Sequence, residues 1–134
     1  MAVFQEQYPD WSVFVSTWVC SEADFSKKII NLRKYQDVEK RLYIFLHEIG
    51  HVILCSRKDY STRFELVEQR NYATDGYKIN RVEEEIEAWH EGFKFAQKHK
   101  VMIDKRKFER TKTKLIKSYL NWALGRLENI KGKE

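Results

Sequence analysis

The stretch Val38–Cys55, VEKRLYIFLHEIGHVILC, is apolar on nearly every face, yet it carries three ionisable side chains, His47, Glu48 and His51, near its centre. Val38, Leu42, Phe45, Ile49 and Val52 recur at steps of three and four and mark a helix from about Asp37 to Ser56. Tyr43, Ile44, Leu46, Ile53 and Leu54 add apolar surface on other faces, so this helix belongs in the interior of the fold. Histidine and glutamate are rarely buried among apolar neighbours without a partner, because an uncompensated polar group there is costly. Gly50 adds a second constraint, since glycine inside a helix costs about 1 kcal/mol relative to alanine. A close approach by another backbone or by a ligand accounts for it.

The rest of the chain reads as elements that surround this helix. Residues 13–20, VFVSTWVC, are β-branched and aromatic and predict a strand. Ser21–Asp24 reads as a turn or a short capped start. Residues 27–33, KKIINLR, read as a second short strand, with a helix as the alternative, and the two strands are candidates for a hairpin without a strong turn signature. Residues 57–80 are polar, with a short strand at 63–69 and a turn at Asp75-Gly76, and a connection of this kind often borders a site. A second helix is expected from about Asn80 to His99, capped by Asn80, with Glu83, Glu84 and Glu85 in its first turns and Val82, Ile86, Trp89, Phe93 and Ala96 as its stripe. A third is expected from about Lys105 to Ile130, packing through Phe108, Leu115, Tyr119, Trp122, Ala123, Leu127 and Ile130.

A single domain spanning residues 1–134, with a basic helix at about 105–130, fits this length. The 43% hydrophobic content supplies a core without disulfides. Two cysteines, Cys20 and Cys55, form no disulfide framework and fit a reducing compartment, with Cys55 expected as a buried thiol. The start of the chain lacks the pattern of a signal peptide, and no run has the length of a membrane span, so a cytoplasmic location without membrane contact is expected.

His47 and His51, four residues apart, share one helix face one turn apart, so both imidazoles can reach one metal ion. Glu48 is offset by about a hundred degrees, which aims its carboxylate beside the metal, where it can take a proton from a zinc-bound water. This is the H-E-x-x-H pattern of zinc-dependent hydrolysis, with Zn2+ as the expected cofactor, Glu48 as the catalytic base and a peptide or protein as the expected substrate. The extended version of the motif is absent, because position 54 is Leu and position 57 is Arg. A third ligand must therefore come from elsewhere, and the cluster Glu83, Glu84, Glu85 and Glu87 is the best source. Measured from the apolar stripe of its helix, Glu85 lies roughly sixty degrees off centre, Glu83 about a hundred degrees away on the other flank, and Glu84 and Glu87 more nearly toward solvent. Glu85 also shares its side with Ala88, Gly92 and Ala96, small residues that let two helices come close.

Cys55 follows His51 by four residues, but it lies roughly 12 Å along the axis from His47, too far for one zinc. His90 and Tyr77 are candidates for substrate or transition-state contact. Lys98–Lys117 holds nine Lys or Arg against Asp104 and Glu109, which reads either as a solvated face or as a contact for nucleic acid or an acidic protein. Two rivals to a hydrolase follow: a zinc-containing binding protein with little turnover, and a nucleic-acid-interacting protein that uses this basic region.

FLHEIGHVIL and, further along, EEEIEAWHEGFKFA make residues 27–98 similar to the ImmA/IrrE-like zinc metallopeptidases, a gluzincin-like family. The family pattern is an HExxH helix followed by a helix opening with E-x-x-A and then a Phe-Ala pair, here Glu85, Ala88 and Phe95-Ala96, the pair lying later than usual. The resemblance implies a zincin-like α+β fold, a small β-sheet packed beside a buried HExxH helix with two further long helices. It implies Glu85 as the third zinc ligand and an origin in a bacterial or phage-infected cytoplasm, where some relatives cleave repressors. Trp89 departs from the pattern: it replaces an Asn or Asp that orients a zinc histidine, a role that another side chain or a backbone carbonyl must then fill. A DNA-binding domain, which many relatives carry, is not recognisable here.

Overall fold

The computed structural model describes residues 2–16, 21–34 and 37–125. In chain order these form α1 (Ala2–Gln7), β1 (Ser12–Ser16), β2 (Glu22–Asp24), β3 (Ile29–Arg33), α2 (Val38–Cys55), α3 (Tyr60–Arg63), α4 (Glu65–Gln69), α5 (Asp75–Lys98) and α6 (Lys105–Ala123). This is an α+β fold in which a small mixed sheet lies beside the helices, a zincin-like arrangement.

Helix α2 is the central element, as its sequence predicts. Asp37 caps it, accepting from the backbone N–H groups of Glu39 and Lys40 at 2.9 and 3.4 Å. From Tyr43 through Gly50 every residue is buried. One hydrophobic cluster joins Phe4 of α1, Ile30 and Leu32 of β3, the buried face of α2, Trp89 and Phe95 of α5, and Phe108 and Leu115 of α6. Phe4, in a helix too short to give a periodic signal, packs edge-on against Phe45.

The sheet corrects the expected hairpin. Its order is β1-β3-β2, with β1 parallel and β2 antiparallel to β3. Ser21–Asp24, read as a turn, supplies strand β2, and the turn follows it. Asp24 accepts from the N–H groups of Ser26 and Lys27 at 3.0 and 3.2 Å, and Lys28 takes a left-handed φ of 53° before β3 begins. The strand expected over 13–20 runs through Ser16; its remainder, including Cys20, lies outside the described residues. Within β3, Ile30 and Leu32 alternate onto the core side, the period of a half-buried strand.

Residues 57–80 hold no strand at 63–69 but two short helices, α3 and α4, anchored by the buried ring of Phe64. Asp75-Gly76 is not a turn but the first turn of α5, whose cap is Thr74, accepting from Tyr77 N–H at 3.1 Å. Asn80, the expected cap, sits a turn inside, where it accepts from Val67 N–H at 3.3 Å and donates to the Arg63 carbonyl at 3.0 Å. It thus ties α3 and α4 to α5. Cys55 is exposed, not buried, because it falls in the last turn of α2, beyond the run of buried residues. In α6, Phe108 and Leu115 are buried and Tyr119, Trp122 and Ala123 half-buried; Leu127 and Ile130 lie outside the described residues. Among the described residues no helix is long and apolar enough to cross a membrane.

Helices α2 and α5 cross at two glycines. A Cβ added at Gly50 would fall onto the Ala88 carbonyl, 2.7 Å from its carbon, and one added at Gly92 onto the Leu46 carbonyl, 2.8 Å from its carbon. The cost of Gly50 is thereby explained by a close backbone. Overpacking costs about 1–3 kcal/mol, and a backbone obstacle has no rotamer that relieves it. Backbone obstacles put both sites in the upper part of that range, and alanine regains about 1 kcal/mol of helix propensity, so Gly50→Ala and Gly92→Ala are each expected to lose a net ~1–2 kcal/mol. Urea unfolding measures this; a midpoint equal to wild type contradicts the close crossing.

Candidate metal centre

The glycine crossing sets α5 against the face of α2 that carries the histidines. Glu85, on the second of the two helices, then reaches across. Its Oε2 lies 2.7 Å from His47 Nε2 and 3.1 Å from His51 Nε2. One donor atom from each of these three residues lies within 4.8 Å of the other two. Glu85 is 1% exposed, so its carboxylate meets this cluster in place of solvent. The helix-phase argument therefore selects the glutamate that the structure brings to the histidines. Glu83 is exposed and Glu87 half-buried.

Glu84 is different from what its helix phase predicts. It is 4% exposed, not solvent-facing. Arg81 Nη1 and the Tyr60 hydroxyl both donate to it, and its Oε1 lies 3.9 Å from His51 Nδ1. Arg81 also places Nη2 3.1 Å from Glu85 Oε1. The stripe argument treats everything beyond α2 as solvent, whereas α3 folds over this side of α5 and brings Tyr60 with it. Arg81, Tyr60 and Tyr119 were missed for the same reason; the spacing of Arg81 to Glu84 and Glu85, three and four residues along one helix, is the signal that pointed to the first.

Glu48 is buried, does not belong to the three-donor cluster, and sets Oε1 3.6 Å from His47 Nδ1. Trp89 lies flat on the His47 ring, with centroids 4.4 Å apart and planes 8° from parallel, so packing fixes this imidazole. His47, His51, Glu48, Glu84 and Glu85 open into one cleft of about 290 Å³, bordered by β2, Tyr60, Arg81 and Tyr119. Tyr77 and His90 do not line it. Tyr77 packs against Tyr72 and Trp122, and His90 is exposed with Nε2 3.3 Å from Lys112 Nζ. The basic residues from Lys98 to Lys117 are exposed apart from a half-buried Lys112.

The donors fit a divalent metal on two grounds. Two imidazole nitrogens and a carboxylate oxygen are a catalytic-zinc set, which leaves a coordination position open. The local charge also suits a cation: two buried carboxylates, Glu84 and Glu85, share the one guanidinium of Arg81.

The same carboxylates act on the titration of the histidine beside them. Burial alone would push the His51 pKa down, but the Glu85 carboxylate, in contact with it, and Glu84 outweigh this and raise it. Burial alone would raise Glu85, but His51, Arg81 and His47 hold it well below the usual carboxylate range.

No protein-family model matches the chain, and no curated protein or solved structure matches it.

Two outcomes follow from this geometry. Glu85→Ala should weaken zinc binding strongly, Glu84→Ala by a smaller factor, and Glu83→Ala and Glu87→Ala hardly at all; competition with a chelator measures each, and a dominant loss at Glu83 or Glu87 would contradict the assignment. The second concerns the chelated protein. A raised folded pKa at His51 gives stability that is full below its unfolded value of 6.5 and is lost as pH rises through the folded value. The depressed Glu85 contributes above its unfolded value of 4.5 and loses that only as pH falls toward its lower folded value. The melting temperature of the metal-free protein should therefore fall as pH rises from about 6 to about 8; a rise over that window contradicts the coupling.

Proposed function

We propose that this chain is a zinc-dependent metallopeptidase. His47, His51 and Glu85 hold the zinc, and Glu48 is the general base. The convergence of these three donors in a cleft, with a second buried carboxylate, Glu48, beside them, is the observation that carries the proposal. The H-E-x-x-H order and the E-x-x-A resemblance to ImmA/IrrE-like peptidases support it.

Zinc in such a site lowers the pKa of water and polarises a carbonyl. The chain's own residues do the rest. Glu48 takes a proton from a water in the cleft as the water oxygen bonds to the scissile carbonyl carbon. It then passes that proton to the amide nitrogen, and the C–N bond breaks to release an amine and a carboxylic acid. Helix α2 holds Glu48 one residue from His47, so base and ligand keep a fixed offset. Trp89 on one side of His47 excludes water from that ring. The same resemblance favours a peptide or protein substrate in a bacterial or phage-infected cytoplasm.

Glu48→Gln tests this reading, because glutamine keeps the shape of the side chain and removes its basicity. The variant should retain stoichiometric zinc and the wild-type melt while peptide hydrolysis falls by about 10²–10⁴-fold. Loss of zinc from a folded Glu48→Gln protein would make Glu48 a ligand. Zinc-loaded wild type that cleaves nothing in a broad peptide library would contradict the peptidase.

A further inference from the structure

We propose that Arg81 is the positioning residue of this centre, a single guanidinium that fixes the aim of Glu85 and holds Glu84 against His51. The inference rests on the metal-binding reading above and concerns the groups behind the ligands.

Glu85 has two carboxylate oxygens, and the structure gives them different work. Oε2 faces both Nε2 atoms, while Oε1 is taken by Arg81 Nη2 at 3.1 Å. An oxygen held by a guanidinium is turned away from the metal side, so Arg81 selects a ligand that presents one oxygen. The other nitrogen of the same fork, Nη1, donates to Glu84 Oε1. That oxygen is also the one nearest the Nδ1 of His51, at 3.9 Å. Glu84 is fixed from its other oxygen by the Tyr60 hydroxyl, and the Arg81 guanidinium lies over the Tyr119 ring, 5.6 Å from its centre. One rigid fork therefore spans a ligand and the carboxylate behind a second ligand.

This arrangement answers the question raised by Trp89. Trp89 offers no carboxylate to either imidazole, and it restrains His47 by stacking instead. Among the described residues the ring against His51 is that of His47, and Glu84 Oε1 lies 3.9 Å from the His51 Nδ1. Groups that orient metal ligands from behind are typically worth about 10- to 100-fold in affinity or activity. The role needs arginine. A lysine ammonium is a point charge on a flexible stem and lacks the planar fork that bonds two carboxylates in fixed directions.

The test uses the full chain with Arg81→Lys and Arg81→Met. Zinc affinity is read by competition with a chelator, and ligand geometry by the visible spectrum of the Co2+-substituted protein, a readout that a residue serving only stability would leave unchanged. Both variants should bind zinc about 10- to 100-fold more weakly than wild type, and their cobalt bands should shift. Arg81→Lys keeps the charge and most of the volume, so it remains informative if Arg81→Met fails to fold. Wild-type zinc affinity and an unshifted cobalt spectrum in folded Arg81→Lys would overturn the inference while leaving the centre intact. A wild type that takes up neither zinc nor cobalt would overturn the centre, and this inference with it.

Discussion

Backbone contact between α2 and α5 is the constraint from which the site follows. Gly50 meets the Ala88 carbonyl and Gly92 meets the Leu46 carbonyl, with no side chain between the helices at either point. A larger residue at either position would separate the axes, and the 2.7 and 3.1 Å distances from Glu85 to the two histidines depend on that separation. Two glycines inside long helices lower local helix stability. What they permit is the meeting of a carboxylate on one helix with two imidazoles on the other, inside the core.

The electrostatics follow from the packing. Once the helices close, Glu48, Glu84 and Glu85 are all withdrawn from water, and such groups are tolerated only when compensated. Arg81 supplies one positive charge and touches two of the three. His47, His51 and Glu85 are placed to hold a metal ion beside these carboxylates, and against the effect of burial Glu85 and Glu84 raise the His51 pKa. The same groups therefore link metal binding, stability and pH. The outer layer of the site is built from elements packed on α5: Tyr60 from α3, held down in turn by Asn80, and Tyr119 from α6.

How much of this was legible from sequence depended on whether the signal was local. The α2 helix, its burial, the shared face of His47 and His51, and the need for a close neighbour at Gly50 all follow from periodicity and spacing within one element. Glu85 was legible because small residues on its side of α5 marked the contact face. Glu84 was misjudged because one apolar stripe defines only one buried face, and the second cover, α3 with Tyr60, lies in a polar stretch with no clear period. Asn80 looks like a helix cap by residue type, yet Thr74 also fits and lies where the helix begins; side-chain chemistry alone does not rank two such candidates. The parallel pairing of β1 with β3 is a long-range property, and the Asp24 turn that reverses the chain is made by side-chain hydrogen bonds that a turn signature of glycine or proline does not announce.

The proposed centre is one metal ion held between two imidazoles and one carboxylate. X-ray absorption at the zinc edge, on protein loaded with one equivalent, reads those neighbours directly. Only nitrogen and oxygen scatterers at about 2.0–2.2 Å are expected, with the outer-shell pattern of two imidazole rings. Zinc–sulfur scattering at about 2.3 Å, or a shell without histidine, would contradict it.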